Sequence, residues 1–373
     1  MTGLQIRRRV VIHSRRAIDR GRSIAVPVAR RVWAPVDRRR HPARPAAISV
    51  LDDQVPEMVV ASGRYQFASG QKRYATASDV VWLSPTLVAV AYLLTSTVVV
   101  FDFDDADGTP RLTERARFAA QPGISLPSAV ASAEGLDWLA ITNSGGGSIS
   151  LVSYAGERGR LSAVVRGTAS IPGDKNIHGL AVAPDARFVA YTSIDDPGGV
   201  RVVAAPGPGD GHELEVVSVL VNPHAPQKPK GVRFSPDGRF LVIAYGGNVS
   251  RSRRRLKSAF VEVHAYDMAT GSIGEFVSRS PESLHMAAGE AVAFFPDGSA
   301  IVVTDQVDDT AQVVEFDRAT GRLGDVTQRF GWAAGGLTFA HGCAVSPDQR
   351  WIAVTNYGDA SIRFFASNRR AVV

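Results

Sequence analysis

The chain has 373 residues, of which 45% are apolar and 21% charged, with a formal net charge of +6. That is a globular composition with length enough for a large core. A single cysteine, Cys343, excludes an intramolecular disulfide framework and a Cys-rich zinc site, and no apolar run approaches the about 18 residues of a membrane helix.

The charge is unevenly placed. Residues 1–48 hold thirteen Arg, no Lys and two acids, Asp19 and Asp37, for a net +11. Of the total +6, the remaining 325 residues therefore carry −5. The positive charge belongs to a leader, and the body is mildly acidic. The leader has four prolines and no sustained apolar face, so disorder is expected. Ser14-Arg15-Arg16 resembles the start of a twin-arginine export signal, but the apolar stretch that follows, Ser23 to Ala29, is only seven residues long and Arg30-Arg31 ends it. An organelle address, a basic arm, or a start site placed too early, with Met58 near the true beginning, fit the same pattern. A cytoplasmic location is the favoured expectation, with export as the alternative.

From residue 49 the chain is expected to be one domain, 49–367, with a short tail, 368–373. Six segments repeat within it: Leu87–Tyr92, Trp138–Asn143, Phe188–Ser193, Phe240–Tyr245, Ala300–Asp305 and Trp351–Asn356. Their spacings are 51, 50, 52, 60 and 51 residues. A turn precedes most copies, as in Ser235-Pro236-Asp237-Gly238 and Phe295-Pro296-Asp297-Gly298. Proline fixes the first corner of such a turn, and Asp or Gly suits the next positions. Further short strands lie before each turn and after each central run, so the unit is a four-stranded antiparallel meander. The central runs are apolar on both faces, which implies sheets covered on both sides. Radial stacking of such sheets makes an all-β propeller. Six blades are expected, with seven the alternative count. The last unit shows three strands, and residues 58–67 are expected to supply its fourth.

Counting six residues back from each turn proline gives Asp79, His178, Lys230, Glu290 and His341 in units one, three, four, five and six. Pro127 is the approximate counterpart in the second. These side chains are expected to converge at the channel mouth, where they would bind an anion, hold a metal or do acid–base chemistry. Polar lining of a wet channel is the plainer reading of the same residues. His224 lies just before the Lys230 strand and is a further candidate for the mouth. The 60-residue spacing marks an insertion at Ser250–Ser258, with a net +5. Its Arg253, Arg254 and Arg255 would suit an acidic partner or anionic ligand. Cys343 lies in an apolar strand and reads as a small core residue.

The phrases Gly231-Val-Arg-Phe-Ser-Pro-Asp-Gly-Arg-Phe240, Trp351-Ile-Ala-Val-Thr-Asn-Tyr357 and Asp317-Arg-Ala-Thr-Gly-Arg-Leu323 resemble the YVTN and lactonase-type, WD40-like propeller repeats. The resemblance covers roughly 77–367. Propellers of this kind include sugar-lactone hydrolases and surface-layer proteins. Six-bladed lactonases with Ca²⁺ on the axis would imply Glu290, Asn143, Asp305 and Asn356 as ligands. Metal-free lactonases with a polar cluster on the top face would imply His178, Glu290 and His341. Fold alone does not decide activity. The expectation is a binding module that takes a protein partner or small anionic ligand at the channel mouth. A hydrolase of sugar or acyl lactones is the alternative. No cofactor beyond Ca²⁺ is suggested, and the acidic body argues against nucleic acid.

Overall fold

A computed structural model describes residues 11–19, 22–30, 76–119, 123–133, 135–154, 164–171, 173–205, 214–246, 259–331, 336–358 and 360–369. The chain divides into two compact units, Met1–Pro45 and Ala46–Val373. The described part of the first is an antiparallel hairpin, β1 (Val11–Asp19) and β2 (Arg22–Arg30), with Arg15 opposite Val26. The described part of the Arg-rich leader is thus a two-stranded ladder. Its Val and Ile residues, favoured in strands, lie within both segments.

The second unit is a six-bladed β-propeller. Blade 1 comprises β3 (Ala77–Ser84), β4 (Leu87–Tyr92), β5 (Thr97–Asp104) and β6 (Arg111–Ala119). Blade 2 comprises β7 (Pro127–Ala131), β8 (Trp138–Asn143), β9 (Ser148–Ser153) and β10 (Val164–Ser170). Blade 3 has β11 (Ile177–Val182), β12 (Phe188–Ser193), β13 (Gly199–Ala204) and β14 (Val216–Val221). Blade 4 has β15 (Lys228–Phe234), β16 (Phe240–Gly246), β17 (Phe260–Asp267) and β18 (Ser272–Arg279). Blade 5 has β19 (Gly289–Phe294), β20 (Ala300–Asp305), β21 (Thr310–Asp317) and β22 (Arg322–Gly331). Blade 6 has β23 (Ala340–Val345), β24 (Trp351–Asn356) and β25 (Ser361–Ala366). Each sheet is an antiparallel meander in chain order. Residues 58–67, the expected closing strand, lie outside the described residues. Among the described residues no helix is long and apolar enough to cross a membrane.

The core is divided. Six apolar clusters each fill the wedge between two neighbouring blades. This is why the central strands are apolar on both faces: one face packs on the blade before, the other on the blade after. Tyr92, Tyr191 and Tyr245 lie in three of these runs and are fully buried. The seam between blades 6 and 1 is built like the others. Trp82 and Phe103 meet edge-to-face at 4.6 Å, with Phe364 5.3 Å from Phe103. At the same seam Trp351 Nε1 donates to Asp105 (2.6 Å).

The inner strands β3, β7, β11, β15, β19 and β23 pack side by side in a closed ring. Each carries an irregularity near its start, where pairing with the second strand skips residues. A threonine one residue from the end of the second strand fills that gap. Thr142, Thr192, Thr304 and Thr355 accept from the N–H of Ala129, Gly179, Ala291 and Gly342 of their own blade. Three of them donate to the next blade's inner strand: Thr142 to the His178 carbonyl (3.3 Å), Thr192 to that of Lys230 (2.8 Å) and Thr304 to that of His341 (2.5 Å). Glycine is needed beside them for space. A Cβ on Gly179 would lie 2.2 Å from the Lys230 carbonyl oxygen, and one on Gly342 would strike Asp79.

Thr192→Val keeps the shape but leaves the buried Gly179 N–H and the Lys230 carbonyl without this partner. We expect a loss of about 1–3 kcal/mol of stability, read as a lower urea midpoint at unchanged slope.

Candidate functional site at the channel mouth

The register of the inner strands fixes which side chains are equivalent. The residues paired with Tyr92, Asn143, Ser193, Tyr245, Asp305 and Asn356 on the second strands are Ala77, Pro127, Ile177, Pro229, Gly289 and Ala340. The next residue in each is the ring position: Ser78, Ser128, His178, Lys230, Glu290 and His341. Blade 1 therefore contributes Ser78, and Asp79 sits one position further on. The count from the turn proline slips there because β3 carries a second irregularity, between Trp82 and Ser84. Blade 2 contributes Ser128 rather than Pro127.

Four of these side chains, from blades 3 to 6, form one cluster around a single oxygen. Glu290 Oε1 lies 2.8 Å from His178 Nε2, 3.1 Å from His341 Nε2 and 3.5 Å from Lys230 Nζ. Lys230 Nζ is also 3.5 Å from His178 Nε2. His341 is stacked between His178 at 5.4 Å and Tyr357 at 5.0 Å, centroid to centroid. Its Nδ1 lies 2.5 Å from the Ser78 carbonyl oxygen. A carbonyl only accepts, so Nδ1 carries the proton and donates. Glu290 Oε2 is buried and has no hydrogen-bond partner among the described residues.

Burial works against the Glu290 carboxylate. The positive charge beside it, chiefly Lys230, outweighs that and holds its pKa well below the usual carboxylate range. Burial pushes the His341 imidazole down to about 4, against the pull of Glu290. At neutral pH the cluster therefore holds an ionised Glu290 and a neutral His341. The side chains reach solvent unequally: Lys230 is 23% exposed, His178 15%, His341 8% and Glu290 1%. A molecule entering the mouth meets Lys230 and His178 first.

A second ion pair crosses the channel. Arg233, from blade 4, places its guanidinium 3.6 Å from Asp79 Oδ2, from blade 1. Arg233 also donates to the Leu180 and Val232 carbonyls, and Asp79 accepts from the Val130 N–H (3.1 Å). Burial raises the Asp79 pKa, with Arg233 opposing. Asp79, expected in a ligand-binding ring, is thus engaged in a strut.

Asn143, Asp305 and Asn356, the expected Ca²⁺ ligands, are each used within their own blade. Asn143 accepts from the Ser125 N–H and donates to the Gly123 carbonyl and Ser150. Asn356 accepts from the Thr338 N–H and donates to the Gly336 carbonyl. Asp305 accepts from the N–H groups of Ala287, Ala288, Val307 and Asp308. These bonds hold the loops entering the inner strands and occupy the oxygens that a cation would use. Arg253, Arg254 and Arg255 lie outside the described residues. Cys343 is buried, its thiol pushed up to about 12 by burial, which fits an inert core position.

Sequence reasoning missed a second polar network, in blade 4. Glu262, on β17, is 2% exposed. It accepts from Arg279 Nη2 (2.5 Å) and lies 2.9 Å from His224 Nε2, with His264 Nε2 3.6 Å away. His224 packs edge-on to Tyr245 and Phe260. It belongs to this network, not to the mouth cluster. Glu262 stands alone in the sequence, and only pairing with β18 brings Arg279 opposite it.

No protein-family model matches the chain, and no curated protein matches it in sequence. Solved structures do. Hydrazine synthase of Kuenenia stuttgartiensis aligns over 81% of this chain and 99% of its own, at 11% identity and a TM-score of 0.53. A protein assigned provisionally as a 6-phosphogluconolactonase, from Bacteroides uniformis, aligns over 68% of this chain and 71% of its own, at 16% identity and 0.49. A similarly assigned protein from Bacteroides fragilis aligns over 70% and 86%, at 15% identity and 0.45. At these identities the likeness is one of fold alone.

Burial raises the Glu262 pKa, but His264, Arg279 and His224 together bring it down to about 2. A carboxylate whose pKa is depressed on folding adds stability above its unfolded pKa, near 4.5. That stability is lost as pH falls from there toward 2. Glu262→Gln should flatten the acid limb of stability between about pH 5 and 2, while costing about 3 kcal/mol at pH 7 through the partners left behind. Thermal unfolding across that pH range checks both.

Proposed function

We propose that the propeller binds a small anionic molecule at the mouth of its central channel. The observation that supports this is the order of exposure in the cluster. Glu290 lies buried beneath Lys230 and His178, so the surface offered to a ligand is an ammonium and an imidazole. An ammonium donates charge-assisted hydrogen bonds to carboxylate or phosphate oxygens. The Asp79–Arg233 strut and the threonine relay fix the floor and the backbone of the site, so little ordering is required on binding. The resemblance of the repeats to YVTN and lactonase-type propellers is compatible with this role.

Lys230→Met removes the exposed charge. Titration calorimetry with inorganic phosphate and with gluconate should show binding to the unaltered protein, weakened about tenfold or more in the variant, the value of one charge-assisted hydrogen bond. Equal affinity in the two proteins would overturn the reading.

A lactonase-like hydrolase is the second reading, favoured by the 2.8 Å contact between His178 and Glu290. A carboxylate bonded to one ring nitrogen orients the imidazole and leaves Nδ1 to accept a proton from water. Under this reading glucono-δ-lactone is hydrolysed above the spontaneous rate, and His178→Ala lowers kcat/KM by at least about 100-fold. A pH-stat assay that finds no turnover sinks it.

A further inference from the structure

His341 has its two ring nitrogens facing two acceptors. Nδ1 donates to the Ser78 carbonyl, and Nε2 is directed at Glu290 Oε1, 3.1 Å away. His178 Nε2 is aimed at the same oxygen, and Glu290 keeps a second buried oxygen without a hydrogen-bond partner among the described residues. Among the described residues, His178, Glu290 and His341 bring one ligand atom each to within 4.8 Å of one another. Ligand atoms around a zinc-sized ion, at bonds of about 2.0–2.2 Å, stand about 3–3.5 Å apart.

We propose that His178, His341 and Glu290 form a site for a divalent transition-metal ion at the channel mouth. Two imidazoles and one carboxylate suit zinc, cobalt or ferrous iron, not Ca²⁺, which takes oxygen ligands alone. The donation from His341 Nδ1 to a backbone carbonyl is the arrangement that orients a metal-bound imidazole. The threonine relay places both histidines, since Thr142 and Thr304 bind the carbonyls of His178 and His341. The three ligands leave further coordination positions for water or a ligand oxygen.

Lys230 completes the account. Without a metal its ammonium is the cation that balances Glu290. With a metal in place the two positive charges repel, and the part-exposed Lys230 turns toward the channel. The ion and Lys230 then face the same space, which deepens the anion-binding reading and rests on it only for that last step.

The test uses the full-length protein after dialysis against a chelator. Titration with Co²⁺, followed by its visible absorption, should saturate at one equivalent, and Zn²⁺ should displace it. His178→Ala and Glu290→Gln should each weaken binding by about 100-fold or more. Lys230→Met, which keeps all three ligands, should bind Co²⁺ at least as tightly, so a general loss of folding is distinguishable from loss of a ligand. Circular dichroism of each variant confirms the fold. Absence of stoichiometric Co²⁺ binding by the unaltered protein overturns the proposal, as does binding that survives His178→Ala. Phosphate titration of the chelated and Co²⁺-loaded protein separates the two readings. Metal binding without phosphate binding removes only the anion reading, and phosphate binding without metal binding removes only the metal site.

Discussion

Everything in the propeller depends on six inner strands lying side by side around one axis. Their backbones approach so closely that Gly179, Gly231 and Gly342 have no room for a Cβ. At that distance each skipped backbone group needs a partner, since an unpaired buried group costs about as much as a lost hydrogen bond. The threonine relay supplies partners in four blades and ties three inner strands to the blade before. The same contacts set where the ring side chains start. The polar cluster at the mouth is therefore a consequence of how the ring is closed.

The wedge-shaped cores follow from the same constraint. Each blade buries both faces against neighbours, so no blade has a core of its own. The seam between blades 6 and 1 has to match the other five. It does so with Trp82, Phe103 and Phe364 in the wedge, Trp351 on Asp105 at one edge and His341 on the Ser78 carbonyl at the mouth. His341 thus closes the ring and belongs to the charged cluster at once. The Arg233–Asp79 strut joins blade 4 to blade 1 across the channel, below the residues that meet solvent.

Charge is distributed with similar economy. Glu290 and Glu262 are both nearly fully buried, and each has two histidines and one basic side chain beside it. Their surroundings differ in what can reach them. Arg279 binds Glu262 at hydrogen-bond distance and lies over Phe260, which makes a finished network. Lys230 stays 3.5 Å from Glu290. Among the described residues one Glu290 oxygen has no hydrogen-bond partner, while His178 and His341 both direct Nε2 at the other.

Much of the fold is legible in the sequence. The turn signatures, the two-faced central runs and the near-constant spacing point to a propeller, with six blades favoured over seven, because each unit repeats the same local physics. The sequence also named His178, Lys230, Glu290 and His341, since a polar residue at the start of an apolar inner strand stands out by alignment. It misplaced Asp79 because a single extra residue in β3 shifts a count made from the turn, and side chains alternate with every residue of a strand. It assigned Asn143, Asp305 and Asn356 to a metal, although a capping side chain and a ligating one are the same residue types. Only the tertiary structure decided these matters. Register, the partners of each lone pair and the approach of Arg279 to Glu262 or of Arg233 to Asp79 are set by strands far apart in the chain, and no local pattern records them.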